Sequence, residues 1–292
     1  MTMTFMEKAA AQAQNGRRLC VGLDPVVGKI PEGVDVVSFV NRIVEATASV
    51  AGAFKPNLGF FEEHLGGLEE LLEIVRHIQG RYRDIPIIGD AKRGDIGKTN
   101  LGYIKELFDV FRFDAATVHP FLGGEALQGF LDRQDKGIIV LCRTSNPGAG
   151  EFQNLMCEVS SDPCGWAHRA PLYQAVAHRV SAHWNGNGNC GLVVGATYPK
   201  ELAEVHAIAP GLFKLIPGVG TQEGDLEVSV RNALNLEALP DLVINVSSAV
   251  LYAYLQEQFQ TDSAQFDQAA AKAAVFYDQQ IRDVVDNLGR VA

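Results

Sequence analysis

The amino-acid sequence predicts an α/β protein that folds as a (β/α)8 barrel, with a long C-terminal helix and an extended lid loop after strand 5. Two observations support this fold class. Short apolar runs rich in β-branched residues occur eight times, and each gap between them is long enough for a crossover helix. Eight strand–helix units in 292 residues close naturally into a barrel, whereas the alternative is an open, doubly wound sheet. We expect a single domain over residues 1–292.

The predicted strands are almost continuously apolar, as expected of parallel strands that are covered on both faces. They span Leu19–Leu23, Ala53–Lys55, Ile85–Lys92, Ala115–Val118, Gly137–Cys142, Leu192–Ala196, Leu212–Pro217 and Leu242–Ser247. Amphipathic stretches between them predict helices, which span Val36–Ala51, Leu65–Gln79, Thr99–Phe111 and Pro199–Ala209.

Three segments lie outside this alternation. The first 16 residues read as a polar helix. Arg143–Pro171 is rich in Gly, Ser, Asn and Pro before a helical stretch near Leu172–Trp184, and a long irregular segment inside a domain is often a functional lid. Ser263–Leu288 predicts one long amphipathic helix that closes the barrel.

Composition excludes several classes of protein. Apolar residues make up 47% of the chain, which is enough for a large core, and the net charge of −10 gives no general affinity for nucleic acid or anionic lipid. No apolar run reaches the roughly 18–20 residues that span a bilayer. The five cysteines form no C-x-x-C pair, so we expect reduced thiols in a cytoplasmic protein.

Polar residues end the apolar strands, and barrel enzymes carry their sites at the carboxyl ends of the strands. Such residues are costly to bury unless they are paired, so their clustering at one end is a functional signal. They are Asp24, Lys55, Asp90 with Lys92, His119, Arg143 to Asn146, Lys214 with Gly218 and Gly220, and Ser247 with Ser248.

The most informative segment is Asp90-x-Lys92-x-x-Asp95 at the end of the third strand. Asp90 and Lys92 are two residues apart, so both point to the same face and into the barrel mouth. An ammonium between two carboxylates stays protonated, which makes Lys92 a candidate proton donor rather than a Schiff-base amine. The alternative is a surface ion-pair network.

Glycines after the seventh strand indicate a second element of the site. Gly218 and Gly220 suit a backbone nest for phosphate, although a plain turn is the alternative. His119 could reach the mouth, but a hydrogen-bonded structural histidine is the stronger interpretation. The sequence shows no H-x-H, H-E-x-x-H or EF-hand pattern, and we expect no metal.

Taken together, these residues resemble the orotidine 5′-phosphate decarboxylase family, in its longer bacterial branch, over nearly the whole chain. Asp90-x-Lys92-x-x-Asp95-Ile96-x-x-Thr99 matches the family's central signature and is highly specific. The other similar motifs are Val21–Pro25, Phe54–Asn57, Arg143–Gly148 and Pro217–Gln222.

The resemblance implies conversion of orotidine 5′-monophosphate to uridine 5′-monophosphate and carbon dioxide, in pyrimidine biosynthesis, without a cofactor. Lys92 would stabilise and then protonate the carbanion at C6, with Asp90 near the substrate carboxylate and Lys55 extending the charge array. Asp95 and Thr99 would come from the partner subunit, which implies a homodimer with shared sites.

The resemblance also implies the substrate contacts. Asp24 would bind ribose hydroxyls, Ser145 the pyrimidine edge, and Gln222 with the Gly220 amide the phosphate. The complete set of expected substrate-binding residues is Asp24, Thr99, Ser145, Asn146, Gly218, Gly220, Gln222, Ser247 and Ser248.

One position departs from the family, which usually presents an arginine to the phosphate where this chain has Ser248. Arg143 or Arg169 could supply the missing charge instead. Two alternatives to the decarboxylase remain: a magnesium-dependent β-keto acid decarboxylase of the phosphate-sugar type, and a non-catalytic nucleotide-binding paralogue.

Overall fold

A computed structural model describes residues 3–158, 169–220 and 224–289, and its centre is a barrel of eight parallel strands. The barrel strands are β1 (Leu19–Leu23), β2 (Ala51–Pro56), β3 (Ile88–Arg93), β4 (Ala115–Val118), β5 (Gly137–Arg143), β6 (Cys190–Val194), β7 (Phe213–Ile216) and β8 (Leu242–Val246).

The strands follow the order β2-β1-β8-β7-β6-β5-β4-β3. Two isolated parallel bridges close the ring where β2 meets β3. One joins Phe54 to Ile87, the residue before β3, and the other joins Asp90 to Asn57, the residue after β2. The predicted closed barrel is therefore confirmed, and the open sheet is excluded.

Helices surround the strands. They are α1 (Phe5–Gln14), α2 (Val36–Thr47), α3 (Gly59–Glu62), α4 (Gly67–Arg81), α5 (Gly97–Ile104), α6 (Gly123–Leu131), α7 (Gly150–Gln153), α8 (Leu172–Arg179), α9 (Pro199–Ile208), α10 (Leu226–Ala233), α11 (Ser248–Leu251) and α12 (Phe266–Gly289). Two of them, α5 and α8, continue as π-helical turns over Lys105–Val110 and Val180–Trp184.

Element boundaries agree with the prediction to within four residues, and two strands, Leu19–Leu23 and Ala115–Val118, coincide with it. The third strand begins at Ile88 rather than Ile85. Pro86 lacks an N–H for the sheet, and its carbonyl instead accepts a hydrogen bond from the Phe54 N–H. Helix α2 ends at Thr47 because the chain turns directly into β2, which begins at Ala51.

The sequence predicts a polar N-terminal helix, but α1 also buries apolar side chains. These side chains close the amino end of the barrel. Phe5 is fully buried and packs edge-to-face on Phe213, with ring centroids 5.2 Å apart. A capping box between Thr4 and Glu7 fixes the start of α1. With its amino end sealed, the barrel is left open at the carboxyl ends of its strands.

The long C-terminal helix is confirmed, and it lies in the outer layer. It packs beside α2 and α10, where it takes the place of the helix that follows β8. Phe266 begins the helix and is buried against Phe39 at a ring distance of 4.8 Å, and the Arg42 guanidinium lies 4.2 Å from the centre of the Phe266 ring.

The long segment after β5 contains local structure of its own. A short antiparallel hairpin pairs Met156–Glu158 with Arg169–Pro171, and residues 159–168 lie outside the described part of the chain. Gln153 of α7 ties the segment to the strand end, because it accepts a hydrogen bond from the Thr144 N–H and donates one to the Thr144 hydroxyl, both at 2.9 Å.

Candidate active site

A cavity of about 670 Å³ opens at the carboxyl ends of the barrel strands. Nine of the residues expected in the site line it, and they are Asp24, Lys55, Asp90, Lys92, Ser145, Asn146, Gly218, Ser247 and Ser248. Gln222 lies outside the described residues. The barrel thus brings together side chains that are more than 220 positions apart in the sequence.

The chemical centre of the cavity is a chain of alternating charges. Asp90 lies between two lysines: one oxygen accepts from Lys55 Nζ at 3.0 Å, and the other accepts from Lys92 Nζ at 2.7 Å. The Lys55 side chain is 3% exposed, whereas that of Lys92 is 49% exposed. Lys55 is therefore a fixed internal cation, and Lys92 can reach both a ligand and solvent.

The ion pairs keep these groups charged in spite of their burial. Desolvation opposes the charge on Lys55, but Asp90 and then Asp24 hold its pKa above the ordinary value. Desolvation likewise opposes ionisation of Asp90, but Lys55 and Lys92 together hold its pKa well below the usual range. The cavity thus presents a preorganised carboxylate with a cation on each side.

Asp24 has the features of a ligand-binding carboxylate. One of its oxygens is buried and has no hydrogen-bond partner among the described residues, although the side chain lines the cavity. Such an atom is costly unless a ligand or water satisfies it. Gly22, two residues earlier in β1, has no side chain, and this allows Ser247 to lie close against the strand. A Cβ at Gly22 would be 1.9 Å from the Ser247 hydroxyl oxygen.

Asp95 and Thr99 do not line the cavity of their own chain. The Asp95 carboxylate accepts the Ile96 N–H at 2.7 Å, and Lys92 is paired with Asp90 alone among the described residues. Within one chain, Lys92 therefore contacts the carboxylate of Asp90 and not that of Asp95, which lies on the loop after β3 outside the cavity.

The loop after β7 has the conformation expected of its glycines. Gly218 and Gly220 adopt φ values of 101° and 93°, which favour glycine, and the Gly224 N–H donates to the Gly218 carbonyl at 3.1 Å. Gly218 lines the cavity, but Gly220 does not. A Cβ at Gly220 would lie 3.0 Å from the Ala249 Cβ, so this loop packs tightly on the start of α11.

The segment after β5 is anchored over the cavity by the loop after β6. The Ser145 carbonyl accepts the Thr197 hydroxyl at 3.0 Å, and the Asn146 carbonyl accepts the Tyr198 hydroxyl at 3.1 Å. Arg143, expected as an alternative cation for the phosphate, lies outside the cavity. It is buried and stacks on the Tyr198 ring at 3.6 Å.

Two other strand-end residues lie away from the cavity. His119 holds the loop after β3, since one ring nitrogen is 3.0 Å from the Gly94 carbonyl and the other accepts the Phe121 N–H at 3.4 Å. Lys214 is fully buried and points toward the amino end of the barrel, where Nζ donates to the carbonyls of Ala209 and Leu212.

Sequence reasoning missed Thr117, which lines the cavity between Asp90 and Lys92. Its hydroxyl donates to Asp90 Oδ1 and accepts the Lys92 N–H, both at 2.9 Å. Within an apolar strand, threonine reads as an ordinary β-branched strand residue. The sequence feature that could have identified it is a hydroxyl residue in β4, the strand that neighbours the one carrying Asp90 and Lys92.

The fold and the cavity define the class as a barrel enzyme whose polar site lies at the carboxyl ends of the strands. Comparison with known proteins gives the family. Residues 17–258 match the model of the family described as orotidine 5′-phosphate decarboxylase / HUMPS. The chain belongs to this family.

Curated relatives match over most of their length. The orotidine 5′-phosphate decarboxylase of Janthinobacterium sp. (strain Marseille) is 42% identical over 263 residues, which cover 88% of this chain and 93% of that protein. The enzyme of the same name from Herpetosiphon aurantiacus is 41% identical over 276 residues, covering 92% and 95%.

A solved structure agrees with these matches. Leishmania donovani OMP decarboxylase is 35% identical and superposes with a TM-score of 0.76, covering 96% of this chain and 99% of that chain. The related structure of Leishmania donovani UMP synthase has a TM-score of 0.79 and 37% identity, and the match covers 96% of this chain and 57% of the longer protein.

Proposed function

We propose that this chain decarboxylates orotidine 5′-monophosphate to uridine 5′-monophosphate with Lys92 as the proton donor, in the step of pyrimidine biosynthesis that makes this nucleotide. The observation that carries the assignment is the Lys55–Asp90–Lys92 array in the barrel mouth, with Asp90 held between two ammonium groups at 3.0 and 2.7 Å.

The chemistry requires a cation beside the reacting carbon. When the bond to the carboxylate breaks, carbon dioxide leaves and the electron pair stays on C6, which has no adjacent carbonyl to accept it. The Lys92 ammonium stabilises that charge and then transfers a proton to C6, so the nitrogen is left neutral. Because Lys92 is half exposed, solvent can return its proton after product release.

Asp90 and Lys55 prepare Lys92 for this role. Asp90 keeps the Lys92 ammonium charged and fixes its position, and Lys55 keeps Asp90 ionised. A substrate carboxylate placed near Asp90 would be destabilised by like-charge repulsion, and that repulsion is relieved when carbon dioxide leaves. No cofactor is required for any of these steps.

The remaining lining residues suit the rest of the nucleotide. The unpartnered Asp24 oxygen is available to ribose hydroxyls, and Ser145 and Asn146 are available to the pyrimidine edge. The phosphate would lie at the Gly218, Gly220 and Gln222 loop beside Ser247 and Ser248. Among the described lining residues, Lys55 and Lys92 are the cations, so none stands at this phosphate end.

A homodimer would complete the site. Asp95 and Thr99 lie outside the cavity of their own chain, next to Ile96 and Leu101, whose apolar side chains are 62% and 60% exposed. Exposed apolar groups at such positions are typical of an interface. The dimer would bury them and bring Asp95 and Thr99 to the partner's cavity.

We also propose one domain over residues 1–292 and a cytoplasmic enzyme with reduced cysteines.

The test is release of carbon dioxide from orotidine 5′-monophosphate by the purified protein. The Lys92→Ala variant should lose several orders of magnitude in kcat, because it lacks both the cation and the proton source. A folded variant that retains more than about a tenth of the activity, a barrier change below ~1.4 kcal/mol, would overturn the role of Lys92.

The same assay separates the alternatives. A non-catalytic nucleotide-binding paralogue would bind uridine 5′-monophosphate without releasing carbon dioxide. A magnesium-dependent β-keto acid decarboxylase would lose its activity in EDTA and regain it with magnesium. We expect turnover that is unchanged by EDTA, because lysine supplies the stabilising charge.

A further inference from the structure

The third strand is irregular at the point where it carries the reactive groups. Strands β3 and β4 pair at Gly89 with Ala116 and next at Arg93 with Val118. Three residues of β3, from Asp90 to Lys92, therefore stand opposite Thr117 alone. The β3 backbone bulges away from β4 over this stretch, and Asp90 bridges instead to Asn57, the residue that follows β2.

The bulge leaves Lys92 in a conformation that a lysine seldom adopts. Its φ is +49°, in the left-handed region, which is costly for a residue with a Cβ and is seen mainly where the surroundings hold it in place. Because the ladder is interrupted, no residue of β4 pairs with Lys92 in the register of the two strands. The Lys92 N–H donates to the Thr117 hydroxyl at 2.9 Å.

The same hydroxyl also orients the carboxylate. Its single proton is directed to Asp90 Oδ1 at 2.9 Å, and this oxygen is also the one that accepts from Lys92 Nζ. Thr117 thus contacts both ends of the Asp90–Lys92 pair, at the backbone of one residue and at the side chain of the other. It is 1% exposed, so water does not replace these bonds.

We propose that Thr117 is a positioning residue for decarboxylation, holding the strained Lys92 backbone and the Asp90 carboxylate so that the ammonium points at the reacting carbon. The inference rests on the proposed role of Lys92. A displacement of about 1 Å in a catalytic group can cost on the order of 100-fold in rate. A hydroxyl is required because one oxygen must accept from the Lys92 amide and donate to Asp90, which valine of the same shape cannot do.

The test compares Thr117→Val with Thr117→Ser. We expect Thr117→Val to lower kcat by about 10- to 100-fold, with the Kd for uridine 5′-monophosphate, measured by calorimetry, changed by less than about threefold. Thr117→Ser retains the hydroxyl and should recover most of kcat. The matched control is Thr47→Val, which removes a buried hydroxyl bonded to the Ile43 carbonyl on α2, far from the cavity. It should lower stability comparably and leave kcat unchanged.

The outcomes are distinct from those that test the proposed function. If Thr117→Val keeps kcat within about twofold while Lys92→Ala is inactive, the positioning role is wrong and the decarboxylase assignment stands. If Thr117→Val loses kcat and product affinity in parallel, or if Thr117→Ser is as slow as Thr117→Val, Thr117 acts on overall structure rather than on Lys92, and the inference fails. If Thr117→Val does not fold, Thr117→Ser against Thr117→Ala decides by the same kcat comparison.

Discussion

At the scale of single residues, two lysines of the cavity differ in function because they differ in burial. Lys55 and Lys92 both pair with Asp90, but one is enclosed and the other is half exposed. An enclosed ammonium cannot exchange its proton readily with solvent, so it serves as a constant charge. The exposed ammonium can give up a proton and regain it, as a catalytic acid must.

The substitution Ser248→Arg tests the phosphate end of the cavity. Ser248 lines the cavity, and the cations among the described lining residues are Lys55 and Lys92. A guanidinium that matches the phosphate geometry contributes about 1.5–3 kcal/mol through charge-assisted hydrogen bonds. We therefore expect kcat/KM to rise by about 10- to 150-fold, most strongly at low salt.

Steady-state kinetics on the nucleotide and on its unphosphorylated nucleoside check this expectation. The gain should disappear with the nucleoside, because no anion remains to be paired. An unchanged or lower kcat/KM on the phosphorylated substrate would show that Ser248 does not occupy the position of the missing arginine.

Lys214 should make stability depend on pH. Burial lowers its pKa to about 8 from 10.5, and Asp241 offsets only part of this effect. Between these two values the unfolded chain binds more protons than the folded one, so this group's contribution to stability rises with pH. Below pH 8 the full cost of burying the charge is present.

The measurement is denaturant unfolding of the wild type and of Lys214→Met at pH 7, 8 and 9.5. The stability of the wild type relative to the variant should rise by up to about 1.4 kcal/mol per pH unit above pH 8 and stay level below it. Two curves that stay parallel over the whole range would show that burial does not shift this lysine.

At the scale of elements, the two ends of the barrel have different roles. The N-terminal helix closes the amino end, and the loops that follow the strands form the site at the carboxyl end. Helix α1 seals the amino end with Phe5, which allows the inner layer of the barrel to form a closed core. The loops after β3, β5 and β7 are then free to differ in sequence and to carry the site.

Phe5→Ala should therefore be strongly destabilising. Removing a fully buried phenylalanine costs about 3–5 kcal/mol, through lost burial and the cavity that is left. The urea midpoint should fall sharply, whereas Leu65→Ala, at a fully exposed side chain, should leave it within experimental error. An equal effect of the two substitutions would mean that α1 does not contribute to the core.

At the scale of the whole molecule, three of the described residues expected in the site do not line the cavity of their own chain, and they are Asp95, Thr99 and Gly220. Asp95 and Thr99 lie outside the cavity that holds their own Lys92, and their apolar neighbours Ile96 and Leu101 are exposed. In a two-fold symmetric dimer, each chain would present Asp95 and Thr99 to the other, so that both sites are completed at once.

Mixing two inactive variants tests this arrangement. Lys92→Ala and Asp95→Ala homodimers should each be inactive. After subunit exchange, half of the random pairs are heterodimers, and each heterodimer has one intact site of two, so about a quarter of wild-type activity should return. Absence of recovery after proven exchange would mean that both residues act within one chain.

The sequence by itself determined those features that follow from local pattern. Eight apolar runs with intervening helices defined the barrel, and the two-residue spacing placed Asp90 and Lys92 on one face of their strand. The positions of Asp24, Ser145 and Ser248 followed from the rule that barrel sites lie at strand ends, because parallel strands bring those ends together whatever their separation in the chain.

Only the tertiary structure decided the features that depend on contacts between distant residues. The bulge opposite Thr117, the outward turn that takes Asp95 away from Lys92, and the seal that Phe5 makes against β7 arise from pairing across the barrel. The same applies to Arg143, which stacks on the Tyr198 ring and does not line the cavity, although the sequence offered it as a cation at the strand end. Local periodicity specifies which face a side chain points to, but which partner meets it there is set by register and packing between strands.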